Sequence, residues 1–359
     1  MEVIDLNISN NYGVLEQINS LGHEQVVFCN DQETGLKAII AIHNTNLGPA
    51  LGGTRMWKYN NEQEALYDVL RLSRGMTFKA AISGLELGGG KAVIIGDSSV
   101  DKTEILMRKF GEFVDNLSGR YITAEDVGMT TKDMEYIRME TKYVTGIPKT
   151  MGGSGDPSPL TAYGVYWGMK GAAEYQWGSP SLEGRKILVQ GVGNVGKYLV
   201  EHLSKEGAYV LINDINEDKL TEVAKTYQAN IVTDNIYDLD IDIYSPCALG
   251  STINSETIDR LRCSIIAGSA NNQLADERTD AIKLKKRNII YAPDFLISAG
   301  GLINVYSEIK GYNEEKVLDK TKHIYSTTMD ILQKADVEGL TTHEAALLLA
   351  KDIVYNSKK

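Results

Sequence analysis

Long apolar runs, paired cysteines and excess basic charge are all missing from this 359-residue chain, and each absence removes a class of function. No stretch holds 18 consecutive apolar residues, which leaves nothing to form a membrane-spanning helix. The first residues, MEVIDLNISNN, have neither a basic start nor an apolar core, so a soluble protein without a cleaved leader is expected. Only three cysteines occur, Cys29, Cys247 and Cys263. They form no CxxC spacing and cannot all be paired with one another, which fits a reducing cytoplasm and argues against structural zinc. His23, His43, His202, His323 and His343 show no ligand spacing, so no metal is expected. Lys and Arg number 37 against 48 Asp and Glu, a net charge of −11 with no basic stripe, which makes nucleic acid a poor partner.

What is present is a 43% hydrophobic fraction in a chain longer than one core usually serves, so two domains are expected. The first part reads as mixed α/β. Val26 to Phe28 and Lys37 to Ile42 look like strands around a polar turn, and residues 62 to 76 carry Leu66, Val69, Leu70, Ser73 and Met76 at helical spacing. Lys91 to Ile95 reads as a strand, and Ile105, Leu106, Phe110, Phe113 and Leu117 mark another helix. The segment IPKTMGGSGDPSP concentrates Gly, Pro and Ser between Gly146 and Pro159, reads as irregular, and marks a domain boundary. Ser158 and Pro159 read as the N-cap and first-turn proline of the next helix. From Lys186 onward, short apolar runs recur at 186–190, 208–212, 230–232, 241–244, 264–267 and 289–292, the pattern of a doubly wound parallel sheet. A capping box at Thr341 to Glu344 opens a last helix.

The first of those runs, Lys186 to Gln190, leads directly into Gly191-Val192-Gly193-Asn194-Val195-Gly196 and then a helix. Gly191 permits the tight turn, Gly193 lets the backbone approach a pyrophosphate, and Gly196 allows close packing of helix on strand, while the helix N-terminus attracts the anion. Asp214 follows 23 residues after Gly191, at the end of the next apolar run, where a carboxylate hydrogen-bonds a ribose 2′-hydroxyl. With no arginine among Ile215, Asn216 and Glu217, the expected cofactor is NAD and not NADP. Asn271 and Asn272 lie past the fifth run, where they read either as groups that orient the nicotinamide or substrate, or as an Asn-Asn turn.

The run Phe78 to Lys91, FKAAISGLELGGGK, places Lys79 and Lys91 twelve residues apart around a glycine triplet. It is not a phosphate loop, because Leu85 stands where the first glycine should be and Ala92 where Ser or Thr should hold Mg²⁺. A lysine inside the apolar stretch Gly88 to Ile95 calls for a chemical reason. Burial and a second cation such as Lys79 both disfavour the ammonium and can bring its pKa down from about 10.4 toward that of a working base.

Taken together, the segments GPALGGTR (48–55), FK…GGGK, YITAEDVG (121–128), GVGNVG, ANNQ (270–273) and SAGG (298–301) resemble the amino-acid dehydrogenase family that includes glutamate, leucine, valine and phenylalanine dehydrogenases, over nearly the whole chain. The resemblance implies that Lys79 binds a substrate α-carboxylate, that Lys91 activates the water that adds to an imino acid, and that Asp126 exchanges protons with the substrate amine. It also implies a homo-oligomer acting on an amino acid, a 2-oxo acid and ammonia, in a cleft between an N-terminal mixed α/β substrate domain and a C-terminal Rossmann NAD-binding domain. The domains expected are 1–147 and 148–334, with helices from about 335 to 359 packing back on the first. Thr161 is assigned with the glycine turn to the cofactor.

Glutamate-specific members carry a lysine in the segment that matches Pro49 to Gly53, where this chain has Leu51 beside Gly52. Loss of that cation favours an apolar substrate side chain over a carboxylate. By the same resemblance Ala124, Leu302 and Val305 complete the pocket, so leucine-type substrates are expected. Valine and isoleucine should also react, since one methylene changes discrimination by only about 1 to 3 kcal/mol. A non-catalytic NAD sensor would have no use for Lys79, Lys91 and Asp126 together.

Overall fold

Two β-sheets form around separate apolar cores, and the computed structural model describes them over residues 13–356. The stretch read for a leader, residues 1–11, lies outside the described residues, as do 357–359. The chain divides into two compact units, one of residues 1–155, 305–312 and 350–359, the other of 156–304 and 313–349.

In the first unit the order is α1 (Val14–Leu21), β1 (Gln25–Asp31), β2 (Leu36–Asn44), β3 (Ala50–Trp57), α2 (Glu62–Ile82), β4 (Gly88–Ile95), α3 (Glu104–Asp115), β5 (Tyr121–Glu125) and α4 (Thr131–Arg138). The strands form one sheet, β1-β2-β4-β3-β5, in which β4, β3 and β5 run parallel. Side chains alternate across it. Ile39, Ala41 and Val93 pack with Ala65, Leu66, Val69 and Leu70 of α2, and Ala38, Ile40, Ala92 and Ile94 pack on the other face with Leu106, Phe110, Met134 and Ile137 of α3 and α4. The outer edge of β5 is covered by the chain that follows: Thr123 donates its N–H to Tyr143 O at 3.1 Å and accepts from Thr145 N at 2.9 Å.

Sequence periodicity places α2 correctly but ends it early, because Thr77 to Ile82 continue the helix. The strand expected from Lys91 begins at Gly88, so it takes in the glycine triplet as well. A Cβ on Gly89 would lie 2.1 Å from the backbone nitrogen of Thr77, so only a bare backbone lets α2 rest directly on β4.

The second unit contains α5 (Ser158–Trp177), β6 (Lys186–Gln190), α6 (Gly196–Lys205), β7 (Tyr209–Asn213), α7 (Glu217–Tyr227), β8 (Asn230–Ile231), β9 (Ile243–Pro246), β10 (Ile265–Ile266), α8 (Thr279–Lys286), β11 (Ile290–Tyr291) and α9 (Asp294–Ile297). Helices α10 (Gly300–Lys310), α11 (Glu314–Lys322), α12 (Ile324–Val337) and α13 (Thr342–Asn356) follow. All six apolar runs become strands of one parallel sheet, β11-β10-β9-β6-β7-β8. From β6 the chain builds outward first through β7 and β8 and then, on the other side, through β9 to β11. The order therefore reverses beside β6, and ligands of such sheets bind outside the carboxyl ends of the strands at that point.

Three local readings change. Ser158 is the first residue of α5 and not its cap; the cap position is Pro157, and Asp156 Oδ1 accepts the Ser158 N–H at 2.9 Å. The Gly/Pro segment before it contains a short 3₁₀ turn at Lys149–Met151. The tail does not belong to the first unit from 335 onward. Thr342 Oγ1 donates to Tyr291 O at 2.6 Å and Lys285 Nζ to Leu340 O at 2.8 Å, which holds the start of α13 in the second unit, and only the part from Ala350 is grouped with the first. Thr341 and Glu344 do form the capping pair, with Thr341 N and Oγ1 each 2.9 Å from Glu344 Oε2.

Candidate active site

Register in the first sheet decides which side chains meet. Leu51 pairs with Ile122 and Gly53 with Ala124 across β3 and β5, while Leu51 pairs with Gly89 and Arg55 with Val93 across β3 and β4. With a side-chain period of two, Leu51 and Arg55 of β3, Lys91 of β4 and Ala124 of β5 all project from the face that α2 covers. Asp126 leaves the carboxyl end of β5 one residue past the strand. Gly53 sits between them, and a Cβ there would stand 2.8 Å from the Asp126 Cβ, so the missing side chain makes the space that Asp126 occupies.

In that space Lys91 Nζ lies 2.8 Å from Asp126 Oδ2, and Lys91 is only 6% exposed. Arg55 Nε lies 3.1 Å from the same oxygen and its Nη1 2.9 Å from Asp68 Oδ2 on α2. Tyr59 donates its hydroxyl to Asp68 Oδ2 at 2.7 Å, and Arg71 Nη2 stands 3.5 Å from Asp68 Oδ1. Burial by itself pushes the Asp126 carboxyl up, but the adjacent Lys91 and Arg55 charges outweigh it and hold the group below the usual carboxylate value. Asp126 is therefore an ionised carboxylate in a site where one acid and one amine touch. Lys79 lies half-buried in the last turn of α2, two residues beyond Thr77.

Sequence reasoning assigned no role to Arg55, Asp68 or Tyr59. Arg55 was visible as part of the GGTR segment, and its position two and four residues beyond Gly53 and Leu51 would have put it on their face once β3 was recognised. Asp68 carries no such signal, since a carboxylate on a helix ordinarily faces water.

In the second unit the glycine turn closes as its spacing requires. Gly191 has φ 100°, a conformation that side chains resist, and donates its N–H to Asn213 O at 2.7 Å. A Cβ on Gly196 would lie 1.9 Å from Gly191 O, which draws α6 onto the turn, whereas a Cβ on Gly193 would meet nothing within 4 Å. That open approach lies beside the start of α6, where Val195 provides no side-chain cap for the first N–H groups. Asp214 follows the end of β7, with Oδ2 accepting the Val192 N–H at 2.7 Å and Oδ1 the Asn216 N–H at 2.9 Å. Gly191 to Gly196 with Asp214 thus fit a dinucleotide: an uncapped helix start for the pyrophosphate and a carboxylate for the ribose.

The remaining assigned residues sit on other elements. Thr161 lies in the first turn of α5 and donates Oγ1 to Pro157 O at 3.0 Å. Asn271 and Asn272 are exposed in a turn, with Asn272 at φ 52° and its carbonyl accepting the Ser251 N–H at 2.8 Å. Their neighbour Gln273 is buried and anchors that turn, with Nε2 donating to Gly268 O at 2.7 Å and Ala270 O at 3.0 Å. Leu302 and Val305 are both buried on α10, one on each side of the point where the chain passes from the second unit back to the first. Among the described residues no cluster of His, Cys, Asp and Glu could hold a metal ion, and no helix is long and apolar enough to cross a membrane.

Comparison with known proteins gives the same reading from end to end. Residues 23–143 match the family described as Glu/Leu/Phe/Val dehydrogenase, dimerisation domain, and residues 152–216 and 211–359 match Glutamate/Leucine/Phenylalanine/Valine dehydrogenase. The chain is 52% identical over 338 residues to a leucine dehydrogenase of Bacillus subtilis, covering 94% of this chain and 93% of that protein. It is 50% identical over 347 residues to a leucine dehydrogenase of Thermoactinomyces intermedius, covering 96% and 94%. The crystal structure of L-tryptophan dehydrogenase from Nostoc punctiforme superposes with a TM-score of 0.86 at 48% identity, over 96% of this chain and 99% of that one. With both of its units matched and half of its residues shared with such relatives, the chain belongs to the glutamate/leucine/phenylalanine/valine dehydrogenase family of amino-acid dehydrogenases.

Proposed function

We propose that this chain catalyses the reversible NAD-dependent oxidative deamination of L-leucine and other branched-chain L-amino acids to 2-oxo acids, ammonia and NADH. The observation that carries the reading is the buried contact of 2.8 Å between Lys91 Nζ and Asp126 Oδ2. Deamination requires a proton to leave the substrate ammonium and another to leave the water that adds to the imino carbon. A carboxylate and an amine in direct contact can do both, because each proton taken up by one can pass to the other. Asp126 takes the ammonium proton, and Lys91 assists the water. Lys79 holds the α-carboxylate, for which a cation is the natural partner.

NAD would be held by Gly191, Val192, Gly193, Asn194, Val195 and Gly196 with Asp214, with Thr161, Asn271 and Asn272 beside it. Bound there, it supplies the acceptor for the hydride that leaves the substrate Cα. The side-chain preference rests on Leu51 and Ala124, which share the sheet face of Lys91 and are buried, with Leu302 and Val305. All four are aliphatic, and none offers a charge to a distal carboxylate. Relatives named for tryptophan and phenylalanine stand at 49% and 48% identity, close to those named for leucine, so the aliphatic character of these side chains and not the degree of identity supports the branched-chain preference. The proposal includes a cytoplasmic homo-oligomer, supported by three free cysteines and by the dimerisation domain matched at residues 23–143.

The test is NADH formation with leucine, isoleucine, valine, phenylalanine and glutamate. Branched-chain substrates should give the highest kcat/KM and glutamate none that is measurable; a preference for phenylalanine would refute the aliphatic assignment.

A further inference from the structure

Arg55 does a job that neither the motif nor the reaction assigns to it. We propose that Arg55 is a positioning residue for proton transfer at Asp126: clamped by Asp68 and Tyr59, its guanidinium fixes the carboxylate against Lys91 and sets how strongly that carboxylate holds a proton. The inference rests on the role proposed above for Asp126.

The geometry is that of a relay with an anchored end. Arg55 uses Nε for Asp126 Oδ2 at 3.1 Å and Nη1 for Asp68 Oδ2 at 2.9 Å, so one planar group spans two carboxylates. Asp68 is in turn held by the Tyr59 hydroxyl at 2.7 Å and by Arg71 at 3.5 Å. The charged groups that face Asp126 are Lys91 from β4 and Arg55 from β3, while the Tyr121 phenol of β5 lies in the core on the other face, with its hydroxyl tied to Gly52 O at 2.7 Å. Behind Arg55 stand Asp68, Arg71 and Tyr59. Lys91, Arg55, Asp126 and Asp68 sum to zero charge, and Arg71, 3.5 Å from the far oxygen of Asp68, adds one positive charge at the outer end. When Asp126 accepts a proton it no longer offsets Arg55, but Asp68 still does, so the protonated state does not strand a guanidinium in a half-buried site. Asp68 thereby limits the pull of Arg55 on Asp126, and the two residues act on it with opposite sign.

That opposition is the test. In R55M the acid limb of kcat/KM for leucine should move up by about 1 pH unit or more, as expected when a cation in contact with a carboxylate is lost. D68N should move the limb down, since Arg55 then answers to Asp126 alone. A purely structural role would lower activity in both variants without moving the limb in opposite directions. R55K, which keeps the charge but not the planar fork, should recover part of the R55M loss in kcat while the KM for NAD stays at the wild-type value in all three. An R55M limb superimposed on that of the wild type overturns the proposal. Should R55M fail to fold, a D68N limb that stays in place or moves up overturns it equally. If the wild type forms no NADH from any amino acid, the proposed function fails, and titration of the Asp126 carboxyl by carbon-13 NMR in R55M and D68N still decides whether Arg55 governs that group.

Discussion

Thr77 of α2 and Gly89 of β4 touch without an intervening side chain: a Cβ on Gly89 would stand 2.1 Å from Thr77 N and 2.2 Å from Thr77 Oγ1. Lys79 is two residues beyond one partner and Lys91 two beyond the other, so this contact sets the spacing of both lysines. Gly89→Ala forces helix and strand apart and should cost about 3 kcal/mol or more, at the upper end of overpacking. Calorimetry reads it as a lowered Tm accompanied by lost turnover; a Tm equal to that of the wild type would show that the contact is not tight.

Lys91→Ala removes the amine from a buried ion pair and leaves Asp126 with Arg55 as its cation. NADH formation from leucine should fall by at least about a hundredfold, the contribution typical of a lost acid–base group. NADH binding, followed by its fluorescence, should be unchanged, because the glycine turn belongs to the other unit. Near-normal kcat in this variant would remove Lys91 from the chemistry.

Asp214 already holds the Val192 N–H at 2.7 Å, so its carboxylate supports the turn as well as offering itself to a ribose. Asp214→Ala should therefore raise the KM for NAD by about tenfold, the loss of one charge-assisted hydrogen bond, and narrow the preference for NAD over NADP. Steady-state kinetics with both cofactors checks this, and an unaltered preference would leave Asp214 with the structural task alone.

Under α2, burial pushes the imidazole of His23 down to about 4, and burial with the neighbouring His23 pushes His43 down to about 3. Both rings stay neutral in hydrogen bonds, His23 Nε2 with Ser73 Oγ at 2.8 Å and His43 Nδ1 with Thr77 Oγ1 at 2.7 Å. The unfolded chain protonates these groups near 6.5, so their contribution to stability is complete above that pH and is lost as the pH falls from 6.5 toward 3. Each ring adds a slope of up to about 1.4 kcal/mol per pH unit in that window. Urea melts between pH 6.5 and 5 should show His43→Gln less stable than the wild type at neutral pH but flatter with acidification; parallel slopes would refute the assignment.

The second sheet was legible in sequence because its signals are local. Each strand is a short apolar run, and the turn after β6 needs glycines at fixed positions whatever surrounds it. The site in the first unit was legible only in part. Lys91 stood out because an ammonium within an apolar strand is costly, and Asp126 through the segment it belongs to. Arg55 and Asp68 were not, since their roles arise from the register of β3 against β4 and β5 and from a helix laid across that face, none of which leaves a local trace. In sequence the strand reads as starting at Lys91, without the glycine triplet, for a related reason: glycine weakens strands in isolation, and only the close approach of Asn44, Thr77 and Tyr121 to Gly88, Gly89 and Gly90 explains their presence in one. Asn272 shows the converse, a polar residue in a ligand-side loop whose visible task is a left-handed turn.

Among the described residues the first sheet leaves one border open. The covering of β5 by residues 143–145 spends one side, while β1, the strand at the other end, pairs among the described residues only with β2 and carries Phe28 at 56% exposure. A ribbon with two bare sides can stack copy upon copy without limit; one with a single bare side can join its own kind only once, about a two-fold axis, and then stops. Among the described residues, then, lateral growth of this sheet has a single edge to start from, the one that β1 presents.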